Sequence, residues 1–488
     1  MNSRYICKLA AMALAGSALI GCKGALSSLG GSAGPVITYP DYKEVTIPAN
    51  IAPLNYRYAM DGARKAVTTF SIDGKEVKIK GLDVTWKLKA WKKFVAEAAG
   101  KTIEVKTRVN VNGQDIEDSW SIFVSENSID PYLTYRLIEP AFQMWNEVII
   151  QERCIENFEV SSICDHQHTD NSCMNCHIHG QQRGDLSMFY IRGPKGGAIL
   201  NRDGKLRKLT LKSDGMLSGT VYGDIHPSGR FGVFSTNIII PGLHSASGGR
   251  TEVYDTASDL TVADFDRNVM INEAHVARAD AFETFPCFSA DGNTVYYCVA
   301  DTVSIPKDIE NLKYHLVGAD FDASTGRISE KMDTLYNANE HNASVCHPKA
   351  SPDGRWLMFS VADYGTFPIN HDEAGLQMID LRSGEINTLD AIKGDRSDTY
   401  HSWSSDSRWF VFASKRGDGQ YSKAYFCHID ENGNPSKPFL LPQKSTRFYD
   451  NNLKSFNVTD LGKASVGISV KDSKRMYDSE SEVFTSAD

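Results

Sequence analysis

Ser351-Pro352-Asp353-Gly354-Arg355-Trp356-Leu357-Met358-Phe359 has two halves. Asp353 and Gly354 carry turn chemistry: an Asp side chain bonds backbone two residues on, and Gly accepts a positive φ without steric cost. The apolar run behind them has the length and composition of a buried strand. The same shape recurs as His226-Pro227-Ser228-Gly229-Arg230-Phe231-Gly232-Val233-Phe234, as Ser289-Ala290-Asp291-Gly292-Asn293-Thr294-Val295-Tyr296-Tyr297 and as Ser404-Ser405-Asp406-Ser407-Arg408-Trp409-Phe410-Val411-Phe412. Their fourth positions are Gly229, Gly292, Gly354 and Ser407, spaced by 63, 62 and 53 residues. A turn-and-strand unit repeated at such a period buries its apolar faces only against its neighbours. The expectation is an all-β chain with a β-propeller over residues 186–465, of five or six blades, some lacking a clear string.

Outward from the repeats, residues 36–126 read as an immunoglobulin-like β-sandwich. Ile103, Val105, Thr107, Val109 and Val111 alternate, Asn112-Gly113 makes a type I′ turn, and Ile116, Trp120, Ile122 and Val124 return. Phe70-Ser71-Ile72, Asp73-Gly74 and Val77-Lys78-Ile79 predict a second hairpin, and Trp86 to Ala99 a short helix ended by Gly100. Residues 127–185 read as a linker. Leu137, Ile138, Phe142, Trp145, Val148 and Ile149 form an apolar strap broken by Pro140. Residues 466–488 read as a solvated polar tail.

Inside that linker stands Cys173-Met174-Asn175-Cys176-His177. C-x-x-C-H is the attachment string of c-type haem: Cys173 and Cys176 supply thioethers and His177 an axial nitrogen. Cys164, His166, His168 and His179 crowd around it. Zinc also takes Cys and His at C-x2-C spacing, with His177, His166, His168 and His179 as candidate ligands, and a disulfide uses the same thiols. The local sequence leaves these alternatives open. For a haem, the distal position falls to His166, His168, Met188 or a propeller histidine, or stays open, because His179 is too near His177 in sequence to reach the opposite face. Two strong ligands suit electron transfer or redox sensing; an open position suits small-molecule binding or peroxide chemistry. Cys154 and Cys164 are candidates for a disulfide.

Residues 1–22 read as a bacterial lipoprotein signal. Arg4 and Lys8 precede an apolar run from Leu9 to Ile20, too short to span a bilayer, and Leu19-Ile20-Gly21-Cys22 resembles a lipobox. Cys22 is then lipidated, residues 23–35 form a flexible Gly/Ser-rich tether, and Lys23 behind Cys22 points to the outer membrane, facing the periplasm. Membrane lipid is thus an expected partner, beside a protein or redox partner. A net charge of -9 argues against nucleic acid.

Strings of the S-P-D-G-R-W-L-M-F type resemble the repeat of TolB-like propellers. Together with the lipoprotein signal and the Cys173–His177 motif, they resemble a family of Bacteroidetes lipoproteins described as TolB-like propeller proteins, some as cytochrome c-related. Ile129-Asp130-Pro131-Tyr132-Leu133, Tyr135 to Pro140, Glu283-Thr284-Phe285-Pro286 and Tyr400-His401-Ser402-Trp403-Ser404 carry the resemblance, which covers nearly the whole mature chain. It implies fold more than activity. Ser-Phe is expected after the motif in relatives; Ile178-His179 stands here.

Residues just before the turn strings are candidates for a binding mouth: Glu283, Phe285, His347, Asp398, Tyr400 and His401. The alternative to a haem protein is a propeller module that binds a protein, peptide or glycan, with the Cys/His segment as a zinc or disulfide structural site. No G-x-S-x-G elbow or sialidase-type Asp box points to an enzyme. Cys287, Cys298, Cys346 and Cys427 lie in or beside strand strings and read as small core residues.

Overall fold

The computed structural model describes residues 35–140, 147–245 and 250–487, and the backbone alone at Cys176. The expected signal, the lipidated Cys22 and all of the expected tether but Pro35 lie outside them.

The four turn strings fold as their chemistry dictates. Gly229, Gly292, Gly354 and Ser407 all take left-handed φ, from 58° at Ser407 to 77° at Gly292. Ser351 Oγ donates to Asp353 at 2.6 Å and accepts from the Trp356 amide at 2.9 Å. Asp353 accepts from the Arg355 amide at 3.0 Å. Ser289 and Asp291 repeat this arrangement. Each string joins the first and second strands of one antiparallel sheet.

Six such sheets form the blades of a closed propeller. Their inner strands are Ser455–Gly462, Met174–His179, Thr220–Ile225, Ala281–Phe288, Ser344–Ala350 and Asp398–Trp403, for blades 1 to 6. Each lies beside the next, and the last returns to the first. Closure is made in blade 1, where Ser455–Gly462 pairs with Tyr132–Ile138 across more than 300 residues of chain. Only the blades whose first two strands are consecutive can use a turn string. Blade 1 has none for that reason, and blade 2 turns instead through Gly180–Gln182. The ring is also tied at its seam: the Ser405 hydroxyl and amide both donate to Asp130, at 2.7 and 2.8 Å.

Three expectations are corrected here. Residues 127–185 are not a linker: Tyr132–Ile138, Ile149–Cys154 and Val160–Asp165 are the remaining strands of blade 1, and Met174–His179 opens blade 2. Of the residues read as a strap, Leu137, Ile138 and Ile149 belong to these strands, whose burial lacks clean alternation, and Phe142 and Trp145 lie outside the described residues. Cys154 and Cys164 are free thiols. Cys164 stands opposite Ile150, four residues from Cys154 along the neighbouring strand, so about 13 Å of strand separates them, too far for a disulfide. The tail is ordered: the helix Val470–Asp478, with a Ser469/Asp472 capping box, buries Tyr477. Glu482–Val483 and Thr485–Ser486 then pair in parallel with the outer edges of blades 2 and 3.

Ahead of the propeller, the strand order Val45–Pro48, Gln114–Ser125, Thr102–Val111, Ala63–Ile72, Lys75–Lys80 makes a five-stranded sheet, and a small three-stranded sheet shares its core. Both expected hairpins are present, with Asn112, Gly113, Asp73 and Gly74 at positive φ. The helix Leu88–Glu97 buries Trp91 and Phe94. This core is continuous with Trp409, Phe426 and Phe456 of blades 6 and 1.

Candidate functional site

Each of the six inner strands slips register once, between Asn175 and Ile178, Thr220 and Gly223, Thr284 and Cys287, Cys346 and Lys349, Thr399 and Ser402, and Asn457 and Asp460. In each case two residues oppose one on the neighbouring strand, which is a β-bulge and re-aims side chains locally. The bulge pairs are Cys176-His177, Val221-Tyr222, Phe285-Pro286, His347-Pro348, Tyr400-His401 and Val458-Thr459. Phe285, His347, Tyr400 and Val458 hold left-handed φ between 48° and 54°. Members of all six pairs line one cavity of about 950 Å³ on the propeller axis. The C-x-x-C-H motif and the predicted mouth therefore belong to a single site.

One wall is an aromatic belt. Ring centroids of Tyr222 and Phe285 are 4.5 Å apart, Phe285 and His347 4.3 Å, His347 and Tyr400 4.9 Å. Lys349 and Asp460 add charge. Burial opposes the Lys349 charge, but the carboxyls of Asp224 and Asp460 outweigh it and hold the ammonium above its ordinary pKa. Burial pushes the Asp460 carboxyl up to about 6. Over the cavity lie Pro241, Gly242 and Leu243 of the long blade 3 hairpin, and Phe367 of blade 5. The buried pair of His371 and Glu252, 2.5 Å apart, fastens that hairpin to blade 5.

His177 is buried, and neither ring nitrogen has a hydrogen-bond partner. The Thr134 backbone is close enough to favour the charged ring slightly but lacks hydrogen-bonding geometry. Burial, with His179 and Arg136 adding to it, brings the His177 pKa down to about 3. A neutral imidazole with free nitrogens is a competent metal ligand. Cys173 is half-buried on the cavity wall, its carbonyl accepting from the Arg192 amide at 2.8 Å.

Of the residues singled out in the sequence, Cys173, His177, Phe285, His347, Tyr400 and His401 meet at this cavity. Glu283 and Asp398 do not. Glu283 is buried against Arg278 at 3.2 Å, its carboxyl pushed up to about 7 by burial. Asp398 pairs with Arg416 at 2.8 Å. Nor does the four-histidine metal set assemble. His166 and His168 sit on a short turn beyond blade 1, bound to Asn171 and Asp165, and His179 packs against Gly462. Among the described residues no three His, Cys, Asp or Glu side chains converge as a metal site. Tyr222, Lys349 and Asp460 were missed. A signal existed for their neighbours: Phe285-Pro286, His347-Pro348 and Tyr400-His401 each stand the same step before Gly292, Gly354 and Ser407.

No family model and no curated protein matches the chain. Solved structures with similar architecture include TolB from Acinetobacter baumannii, at 11% identity over 73% of this chain and 79% of that one, with a TM-score of 0.44. A hypothetical selenium-binding protein from Sulfolobus tokodaii is similar at 7% identity over 74% and 97%, TM-score 0.40. A quinoprotein alcohol dehydrogenase-like protein from Bacteroides thetaiotaomicron is similar at 8% identity over 88% and 99%, TM-score 0.31. These likenesses concern architecture alone. The chain is a β-propeller by its own strand order.

Proposed function

We propose that this is a lipid-anchored, periplasm-facing propeller protein that carries one c-type haem in its axial cavity, for electron transfer or redox sensing. Cys22 provides the anchor; Cys173 and Cys176 the thioethers; His177 the axial nitrogen. The observation that carries the reading is His177: a buried imidazole with both nitrogens unpartnered is costly unless something binds it, and it faces a cavity large enough for a cofactor. The bound group would supply one-electron chemistry at its iron. The chain's own residues do the rest. The aromatic belt offers ring faces against which a planar group can pack, and the charged Lys349 offers a partner to an acidic substituent.

The test is a haem stain and pyridine haemochrome spectrum on the full chain, matured in a periplasm with c-type attachment machinery, beside a Cys173→Ser/Cys176→Ser variant. Covalent haem in the wild type, lost in the variant, is the expected result. No haem in the wild type, where a control cytochrome matures, overturns the reading.

The aromatic belt also favours a second reading, a haem-free module that stacks a glycan ring or peptide side chain on Tyr222, Phe285 and Tyr400. If haem is absent, glycan binding that falls at least tenfold in Tyr400→Ala would support it.

A further inference from the structure

We propose that His347 is the second axial ligand of the haem held by Cys173, Cys176 and His177, an inference that rests on the reading above. The symmetry of the ring carries it. Inner strands follow one another from blade 2 through 3 and 4 to 5, and three steps in a ring of six is the opposite side. His177 stands in the bulge of blade 2 and His347 in the bulge of blade 5. His177 is the second residue of its bulge and His347 the first of its own, and both line the one cavity, from opposite blades of the ring.

His347 is prepared for that role. Its Nδ1 is buried without a partner. Its ring is flanked by Phe285 and Tyr400, which limit its rotation.

The competing ligands are less well placed. His401 commits Nε2 to the Met358 carbonyl at 3.0 Å and belongs to blade 6, which is not opposite blade 2. His166, His168 and His179 are absent from the cavity wall. Met188 pairs directly with Ile178 in the motif's own blade. Coordination by two imidazoles leaves no open position at iron, which selects electron transfer or redox sensing over small-molecule chemistry.

The experiment compares ferric visible and electron paramagnetic resonance spectra of the matured full chain with those of His347→Ala, His347→Met and His341→Ala. The wild type is expected to be six-coordinate and low-spin. His347→Ala should shift to high-spin and return to low-spin with added imidazole, while His341→Ala, on an exposed short helix away from the cavity, should stay as wild type. His347→Met, which keeps a ligand, should remain low-spin with an altered ligand field, and it covers the case in which the alanine variant fails to fold. A high-spin wild type, or a variant at His347 with covalent haem and an unchanged spectrum, overturns the assignment while leaving the haem intact. Absence of covalent haem overturns both readings.

Discussion

Gly292 and Gly354 occupy the same turn position in successive blades, at φ 77° and 70°, yet their surroundings differ. A Cβ on Gly354 would meet only the Ala290 methyl at 4.0 Å, whereas one on Gly292 would collide with the His226 ring. That ring reaches across from blade 3 to the Gly292 carbonyl at 3.2 Å. Gly354→Ala should therefore cost only the left-handed strain, about 1 kcal/mol. Gly292→Ala should cost at least about twice that, because His226 must also give up its bond and move. Urea unfolding of the two variants checks the order, and equal losses would show that the His226 contact contributes nothing. Ser407 takes the same φ with a side chain, and its hydroxyl compensates by accepting the Asp353 amide of blade 5 at 3.0 Å. These turns were legible because Asp-Gly chemistry is local. The His226 contact was not, because it depends on a partner 66 residues away.

At the scale of elements, the outer edges of blades 2 and 3 are covered by the last residues of the described chain. Phe484 is buried at 2% exposure among Leu209, Phe265 and Met270, while its neighbour Val483 is 68% exposed. Phe484→Ala should cost about 3 kcal/mol, and Val483→Ala close to nothing, by thermal or urea unfolding. A loss below about 1 kcal/mol at Phe484 would mean that the tail merely rests on the blades. The sequence concealed this tail because two-residue strands carry no period, and Lys471 to Asp478 reads as polar when its one buried aromatic, Tyr477, is overlooked. The inner strand of blade 2 was concealed for a different reason. Cys173–His177 has no strand composition, and its bulge is recognisable only beside the other five. The four strings announced four blades; the two without strings had to be seen closing the ring.

Across the whole molecule, buried titratable groups force an unusual proton balance. Burial holds His177, His347 and His401 neutral down to about pH 3 and His179 to about 4. Unfolded histidines take protons near pH 6.5. Below that pH the unfolded chain binds protons that the folded one refuses, so these groups remove stability as pH falls from about 6.5 toward 3. Buried carboxyls act in the opposite sense. Asp255 and Glu283 are pushed up to about 7 and Asp460 to about 6, mainly by burial. Their charge costs stability above about pH 4, and the cost fades as pH falls through their folded values. Between pH 7 and 4 the two sets largely offset each other, and below about 4 the histidine loss continues, beside that of carboxylates such as Glu373, whose folded pKa is held down to about 2. Asp255 separates the two. It is 3% exposed, and among the described residues the one hydrogen bond to its carboxyl is a 3.0 Å donation from the Asn237 side-chain amide, which an asparagine can equally accept. Asp255→Asn should therefore be more stable than the wild type at pH 8, by up to about 4 kcal/mol, and indistinguishable from it at pH 4, where both side chains are neutral. Urea unfolding of both proteins at the two pH values decides the matter. A difference that persists at pH 4 would place its origin in packing, and none at pH 8 would mean that the Asp255 carboxylate is not penalised in the folded chain.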